Sequence, residues 1–312
     1  MAKGQRHAVL AAVTIALVVL LPAEHAVPEP PSVRAVILGI AQDGGVPHVG
    51  CARDVCAAAW RDPSRRERVA SLGLVDETEG RIFLIDATPD LPSQLVTLTG
   101  RADRRPVVDG ILLTHAHVGH YAGLMYLGRE ALGASGIPVH ATPRMARLLR
   151  ENQPWSQLVA LGQVSLREIE PGRPLVLTPR LRVVPLPVPH RDELSDTVGF
   201  RVEGPLRKLL YIPDVDRWER WERDLAREVA DVDVALLDGT FEDVGELGGR
   251  RMEEVTHPLV GDTMRRLATA PRGRVVFIHL NHTNRLLWDE AARGRLTARG
   301  FGVARDGEVI PL

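Results

Sequence analysis

The stretch Gly110-Ile111-Leu112-Leu113-Thr114-His115-Ala116-His117-Val118-Gly119-His120 decides how this chain is read. Gly110 to Thr114 is a short apolar run that reads as a strand. Three histidines follow at its exit, and the last of them opens an apparent helix through Tyr121 to Leu127. Imidazoles leaving one strand end at spacings of i, i+2 and i+5 can turn into one cleft. Neutral imidazole is the commonest protein ligand for a metal, and such convergence suits zinc.

The same placement recurs downstream. His190 follows the apolar run Leu181 to Leu186, Asp214 ends Leu209-Leu210-Tyr211-Ile212-Pro213, and His279 ends Val275-Val276-Phe277-Ile278. Sites in α/β proteins assemble in the loops beyond the carboxyl ends of strands. Further β-branched runs cover Ala35 to Ile40, Ile82 to Asp86, Thr197 to Val202, Val232 to Leu237 and Arg274 to Ile278. Between them lie amphipathic stretches predicted as helices: Pro143 to Glu151, Asp216 to Val229, Pro258 to Thr269 and Leu286 to Arg299. No linker splits the region, so residues 33–312 read as one α/β domain.

The amino terminus differs. Lys3 and Arg6 precede an apolar run from Ala8 to Leu21, then Pro22 and a Pro-rich stretch to Pro31. A short basic region followed by an apolar run too short for a comfortable span reads as a secretory signal. Residues 1–26 are therefore expected to be a signal peptide or an uncleaved anchor, and 27–32 a Pro-rich linker. Export to the periplasm or outside the cell follows, with membrane contact only through such an anchor. The formal charge of −1 among 312 residues, with 4% aromatics, argues against a nucleic-acid partner. Only two cysteines occur, Cys51 and Cys56. The pair reads equally as a disulfide in an oxidising compartment, as half of a second metal site with His48, or as free thiols.

The ordered series His115-x-His117-x-Gly119-His120, His190, Asp214 and His279 resembles the metallo-β-lactamase superfamily, as does Leu84-Ile85-Asp86-Ala87. Within it the chain resembles the pyrroloquinoline quinone (PQQ) biosynthesis protein B group. That likeness lies in Leu38 to Pro47, Ser195 to Phe200 and His279 to Asn284. The resemblance implies a four-layer αβ/βα sandwich with its metal site between two sheets. It implies that His115, His117 and His190 hold a first metal, and that Asp214 bridges to a second held by His120 and His279. The aspartate usual in the superfamily is Gly119 here, so the second position lacks an oxygen ligand; Gly119→Asp is expected to raise metal content. His257 and His282 are candidates to compensate. The third cysteine that the group would place near Arg53 is missing.

The chemistry implied is hydrolysis of a small ester, lactone, amide or phosphoester by metal-activated water, with Asp214 and His120 as catalytic residues. One or two zinc ions are expected; iron or manganese would also fit such donors. Two other readings stand beside it: an iron-dependent oxidoreductase related to PQQ biosynthesis, and a metal- or ligand-binding protein without turnover.

Overall fold

Along the strand Val33–Ile37 (β1), Ala35 and Ile37 join an apolar cluster containing residues of both sheets, while Val36 joins a second cluster shared with helices. A strand whose alternate side chains are all buried must be covered on both faces. That pattern generates a sandwich of four layers. The computed structural model describes residues 32–100, 107–249, 255–270 and 273–312, with Met1 and Arg251. The expected leader and linker, apart from Met1 and Ser32, lie outside the described residues. No helix among the described residues is long and apolar enough to cross a membrane.

The strands after β1 are Leu72–Asp76 (β2), Arg81–Ile85 (β3), Gly110–Leu112 (β4), Ile137–Ala141 (β5), Val164–Glu168 (β6) and Leu175–Thr178 (β7). Leu181–Pro187 (β8), Val198–Glu203 (β9), Lys208–Ile212 (β10), Val234–Asp238 (β11), Arg274–Ile278 (β12), Phe301–Val303 (β13) and Val309–Pro311 (β14) follow. They form two seven-stranded sheets, ordered β14-β1-β2-β3-β4-β5-β6 and β13-β12-β11-β10-β9-β8-β7. Each sheet is mixed: β1 to β3 and β7 to β10 pair antiparallel, whereas β3 to β6 and β10 to β13 pair parallel.

Asp54–Arg61 is α1, Leu91–Thr99 α2, Val118–Tyr121 α3, Pro143–Glu151 α4 and Trp155–Ala160 α5. Leu225–Ala230 is α6, Val260–Arg266 α7 and Glu290–Ala298 α8. Leu91 and Leu98 of α2, Met145 and Leu149 of α4, and Leu158 of α5 pack with Leu84, Ile111 and Val139 of the first sheet. Leu225, Val260, Met264 and Leu296 of the later helices share the cluster of the second sheet.

The helix predicted over Asp216 to Val229 is two pieces, a 3-10 turn Trp218–Arg220 and then α6. Two buried indoles break it: Trp218 donates to Thr263 Oγ1 at 2.8 Å and Trp221 to the Pro187 carbonyl at 2.7 Å. Asp224 then starts a fresh helix, accepting from the N–H of Ala226 at 2.8 Å. Beyond α3 the chain tightens into a 3-10 helix, Ala122–Leu127. There a β-carbon at Gly123 would stand 2.0 Å from the Thr88 carbonyl, so the close approach requires glycine.

Candidate metal centre

The ends of six strands supply the centre. Asp86 follows β3, His115 lies just beyond β4, His190 beyond β8 and Asp214 beyond β10, while Asp238 ends β11 and His279 follows β12. Asp86 and His279 are the only positive-φ residues other than glycine among the described residues, at φ 68° and 64°. Left-handed backbone costs a residue with a side chain about 1–2 kcal/mol. Both instances sit at the centre, where such strain characteristically collects.

Hydrogen bonds assign the imidazole tautomers. His120 Nδ1 donates to Asp86 Oδ2 at 2.8 Å, and His190 Nδ1 to Asp216 Oδ1 at 3.1 Å. His115 Nδ1 donates to Thr114 Oγ1 at 3.0 Å, the hydroxyl proton of which goes to Asp86. His279 Nδ1 donates to Thr240 Oγ1 at 3.1 Å, and that hydroxyl donates to the His279 carbonyl at 3.1 Å. With every Nδ1–H engaged, all four Nε2 lone pairs point inward. Carboxylates and hydroxyls behind histidines in this way fix the ring and raise its basicity as a ligand.

Of the three donor sets that result, one being Asp214, Asp238 and His257, two hold the six expected ligands. His115, His117, His190 and Asp214 form one, and Asp43, His120 and His279 the other, each with its ligand atoms within 4.8 Å of one another. His117 Nδ1 stands 2.9 Å from His115 Nε2 and 3.1 Å from His190 Nε2. It could donate to only one of those two acceptors, so no pattern of hydrogen bonds satisfies all three. Asp214 lies between the sets: its Oδ2 is 3.4 Å from His115 Nε2, 3.0 Å from His120 Nε2 and 3.2 Å from His279 Nε2. Both Asp214 oxygens, His120 Nε2 and His279 Nε2 are buried without a hydrogen-bond partner. Buried polar atoms left unpaired are costly. A divalent cation satisfies them at once, so the residues fit a metal.

Electrostatics agree. Burial, reinforced by His120, holds His115 well below the ordinary imidazole range, and burial brings His117 down to about 4; both stay neutral, as ligands must. Burial alone would raise Asp214, but His279, His190 and His120 outweigh it and keep the carboxylate ionised. For His120, burial is overcome by Asp86 and Asp214, which hold it well above its usual value.

The six ligands expected from sequence, His115, His117, His120, His190, Asp214 and His279, thus come together. The auxiliary candidates divide. His257 reaches the centre, with Nδ1 2.9 Å from Asp238 Oδ2 and 3.4 Å from Asp214 Oδ1. His282 does not: its ring packs on His48 at a centroid distance of 4.3 Å, outside all three donor sets. Cys51 and Cys56 are unbridged thiols in the structure, with buried Cys56 accepting from the His48 N–H at 3.4 Å. Neither belongs to a group of three or more metal-competent side chains among the described residues.

Asp43 was not among the ligands expected from sequence. Its Oδ1 accepts from the Gly119 N–H at 3.1 Å and lies 3.6 Å from His120 Nε2. A β-carbon at Gly119 would stand 2.3 Å from that oxygen and 2.7 Å from the Asp43 Cα. The expectation that Gly119→Asp adds a ligand is therefore corrected: the space is taken. An unfilled acidic position at 119 together with an aspartate in the Gln42-Asp43-Gly44-Gly45 loop was the available signal.

Two mixed sheets flanked by helices, with a histidine-rich centre at their strand ends, define the metallo-β-lactamase class. A family model described as "Beta-lactamase superfamily domain" matches residues 81–280. Coenzyme PQQ synthesis protein B of Methylobacterium nodulans is 33% identical over 305 residues, covering 89% of this chain and 100% of that protein. The chain belongs to the coenzyme PQQ synthesis protein B family. The crystal structure of Zn(2+)-bound PqqB from Methylobacterium extorquens superposes with a TM-score of 0.78 at 28% identity, covering 89% of this chain and 100% of that one. A diphosphatase from the PhnP family shares the fold, with a TM-score of 0.66 at 22% identity over 89% of this chain and 96% of its own.

Proposed function

We propose that the chain is an exported, metal-dependent hydrolase, taking zinc and using activated water on a small ester, lactone, amide or phosphoester. The observation that carries this reading is Asp214, whose two unpartnered, buried oxygens lie between two sets of inward-facing imidazoles. The zinc of the similar M. extorquens structure supports the choice of ion. A zinc ion supplies Lewis acidity and lowers the pKa of a water it holds to about 7.

The protein's own residues supply the rest. His115, His117 and His190 would hold the ion, their rings fixed from behind by Thr114 and Asp216 in the first and last cases. Asp214, kept ionised between the two sets of imidazoles, would orient the attacking water. His257 keeps a second proton through neutral pH: burial opposes it, but Asp238 and Asp214 push its pKa up to about 9. It stands as a proton donor for the leaving group. His117 is the least buried of the histidine ligands and Val118 beside it is 59% exposed, so substrate enters on that side.

Zinc-loaded protein is expected to turn over at least one of a panel of chromogenic esters, lactones, phosphodiesters and β-lactams. His117→Ala should strip the ion and abolish that activity. Absence of turnover with every metal supplied would overturn the hydrolase and leave a binding protein. The relatives' name, synthesis of a quinone coenzyme, favours a second reading. Histidine and carboxylate donors with open positions also accommodate Fe(II). Dioxygen uptake by iron-loaded protein with a tyrosine-derived or quinone precursor, without hydrolysis in the panel, would select it.

A further inference from the structure

We propose that Asp43 is the oxygen ligand of a second metal position, completed by His120 and His279 and bridged by Asp214. The carboxylate that the superfamily motif carries at position 119 has in this chain moved to the amino-terminal loop. The inference rests on the metal-dependent reading of the same centre and adds the number of ions and the origin of a ligand.

The geometry supports this from several directions. Asp43, His120 and His279 place one donor atom each within 4.8 Å of one another. Nε2 of both histidines is buried and without a hydrogen-bond partner, while their Nδ1 atoms are anchored on Asp86 and Thr240. Asp214 Oδ2 lies 3.0 Å and 3.2 Å from these two nitrogens and 3.4 Å from His115 Nε2 of the first set. One oxygen can therefore face both positions. The Asp43 side chain is 25% exposed, which leaves an open side for exchangeable ligands.

The loop holds Asp43 in place. The Gln42 N–H donates to the Leu280 carbonyl at 2.9 Å, so the loop is tied to the residue after His279. The Gly45 N–H closes a turn on the Gln42 carbonyl at 2.7 Å, with Gly45 at φ 65°. The Gly119 N–H donates to Asp43 Oδ1 at 3.1 Å and aims the other lone pairs of that carboxylate. No side chain fits at 119 while this loop is seated, because its β-carbon would meet both Oδ1 and Cα of Asp43. Gly119 and Asp43 are thus two halves of one arrangement, and glycine at 119 is a requirement of the relocated ligand rather than a lost site.

The test is zinc stoichiometry and stepwise affinity, by elemental analysis and calorimetric titration with zinc alone after chelation, on the full chain. Wild type is expected to take two ions per chain and Asp43→Ala one, with the second affinity weakened about 100-fold or more. Loss of an outer-shell partner alone costs about 10–100-fold. Asp43→Asn, which keeps shape but not charge, should weaken the second ion and leave the first. Gly119→Ala changes no donor, yet it should loosen the second ion by displacing the loop. Two ions of unchanged affinity in Asp43→Ala would overturn the proposal. So would a single ion in wild type that His117→Ala removes, although the metal-dependent reading would then survive. No ion in wild type would sink both.

Discussion

Asp86 shows how much a single side chain carries at this centre. Its Oδ1 accepts from the Thr114 N–H at 2.8 Å, and its Oδ2 accepts from His120 Nδ1 at 2.8 Å. It does this from a left-handed backbone conformation. Asp86→Ala frees the His120 ring and leaves the Thr114 N–H unpaired in the interior. We expect zinc affinity to fall about 10–100-fold and stability to fall by about 1–3 kcal/mol. Titration with zinc and urea unfolding would check both; unchanged values would deny Asp86 its positioning role. At this scale the histidine ligands were legible in sequence, because each follows an apolar run that fixes where the strand stops. Asp43 was not, because it sits in a glycine-containing loop whose course depends on a partner more than two hundred residues away, the Leu280 carbonyl.

Among the elements, β5 and β6 repay a pH experiment. His140 of β5 lies opposite Arg167 of β6 in the parallel register. Burial and then that guanidinium bring its pKa from 6.5 down to about 4. The unfolded chain therefore binds more protons than the folded one between those values. Stability is full above about pH 6.5 and is lost as pH falls through about 4. His140→Gln removes this contribution, so its unfolding midpoint should fall less than that of wild type between pH 7 and pH 4. Parallel curves for the two proteins would contradict the assignment. These strands also escaped sequence reading: β6 runs from buried Val164 to the exposed polar pair Arg167-Glu168, which carries no alternation. α4 was legible to the residue because Thr142 caps it, Pro143 begins it and its apolar face is regular. The segment 216–229 was not, since its charge pattern imitates a helix while two indoles anchor a turn.

For the whole molecule, the centre joins the two sheets. His115, His117 and His120 come from the first sheet's β4 exit; His190, Asp214 and His279 come from the second. A cation held by both is a cross-link between the halves, and it relieves the unpaired buried atoms of Asp214. Binding to the native state alone stabilises by about 4 kcal/mol when free ligand is 1,000 times its Kd. Chelation should therefore lower the melting temperature by several degrees, and zinc should restore it; an unmoved midpoint would show that the sheets dock without the ion. The α/β class and a single domain from residue 33 were legible in the alternation of strand and helix signals. The four layers came only through resemblance, because periodicity says which faces are buried but not which sheet covers them.

The account stands on imidazoles and carboxylates, not thiols, gripping the ion. Zinc-edge X-ray absorption on the loaded protein tests this most directly. The expected spectrum shows nitrogen and oxygen neighbours at about 2.0–2.1 Å with imidazole scattering and no sulfur. A sulfur shell at about 2.3 Å would place the ion at Cys51 and Cys56 and contradict the assignment of the centre.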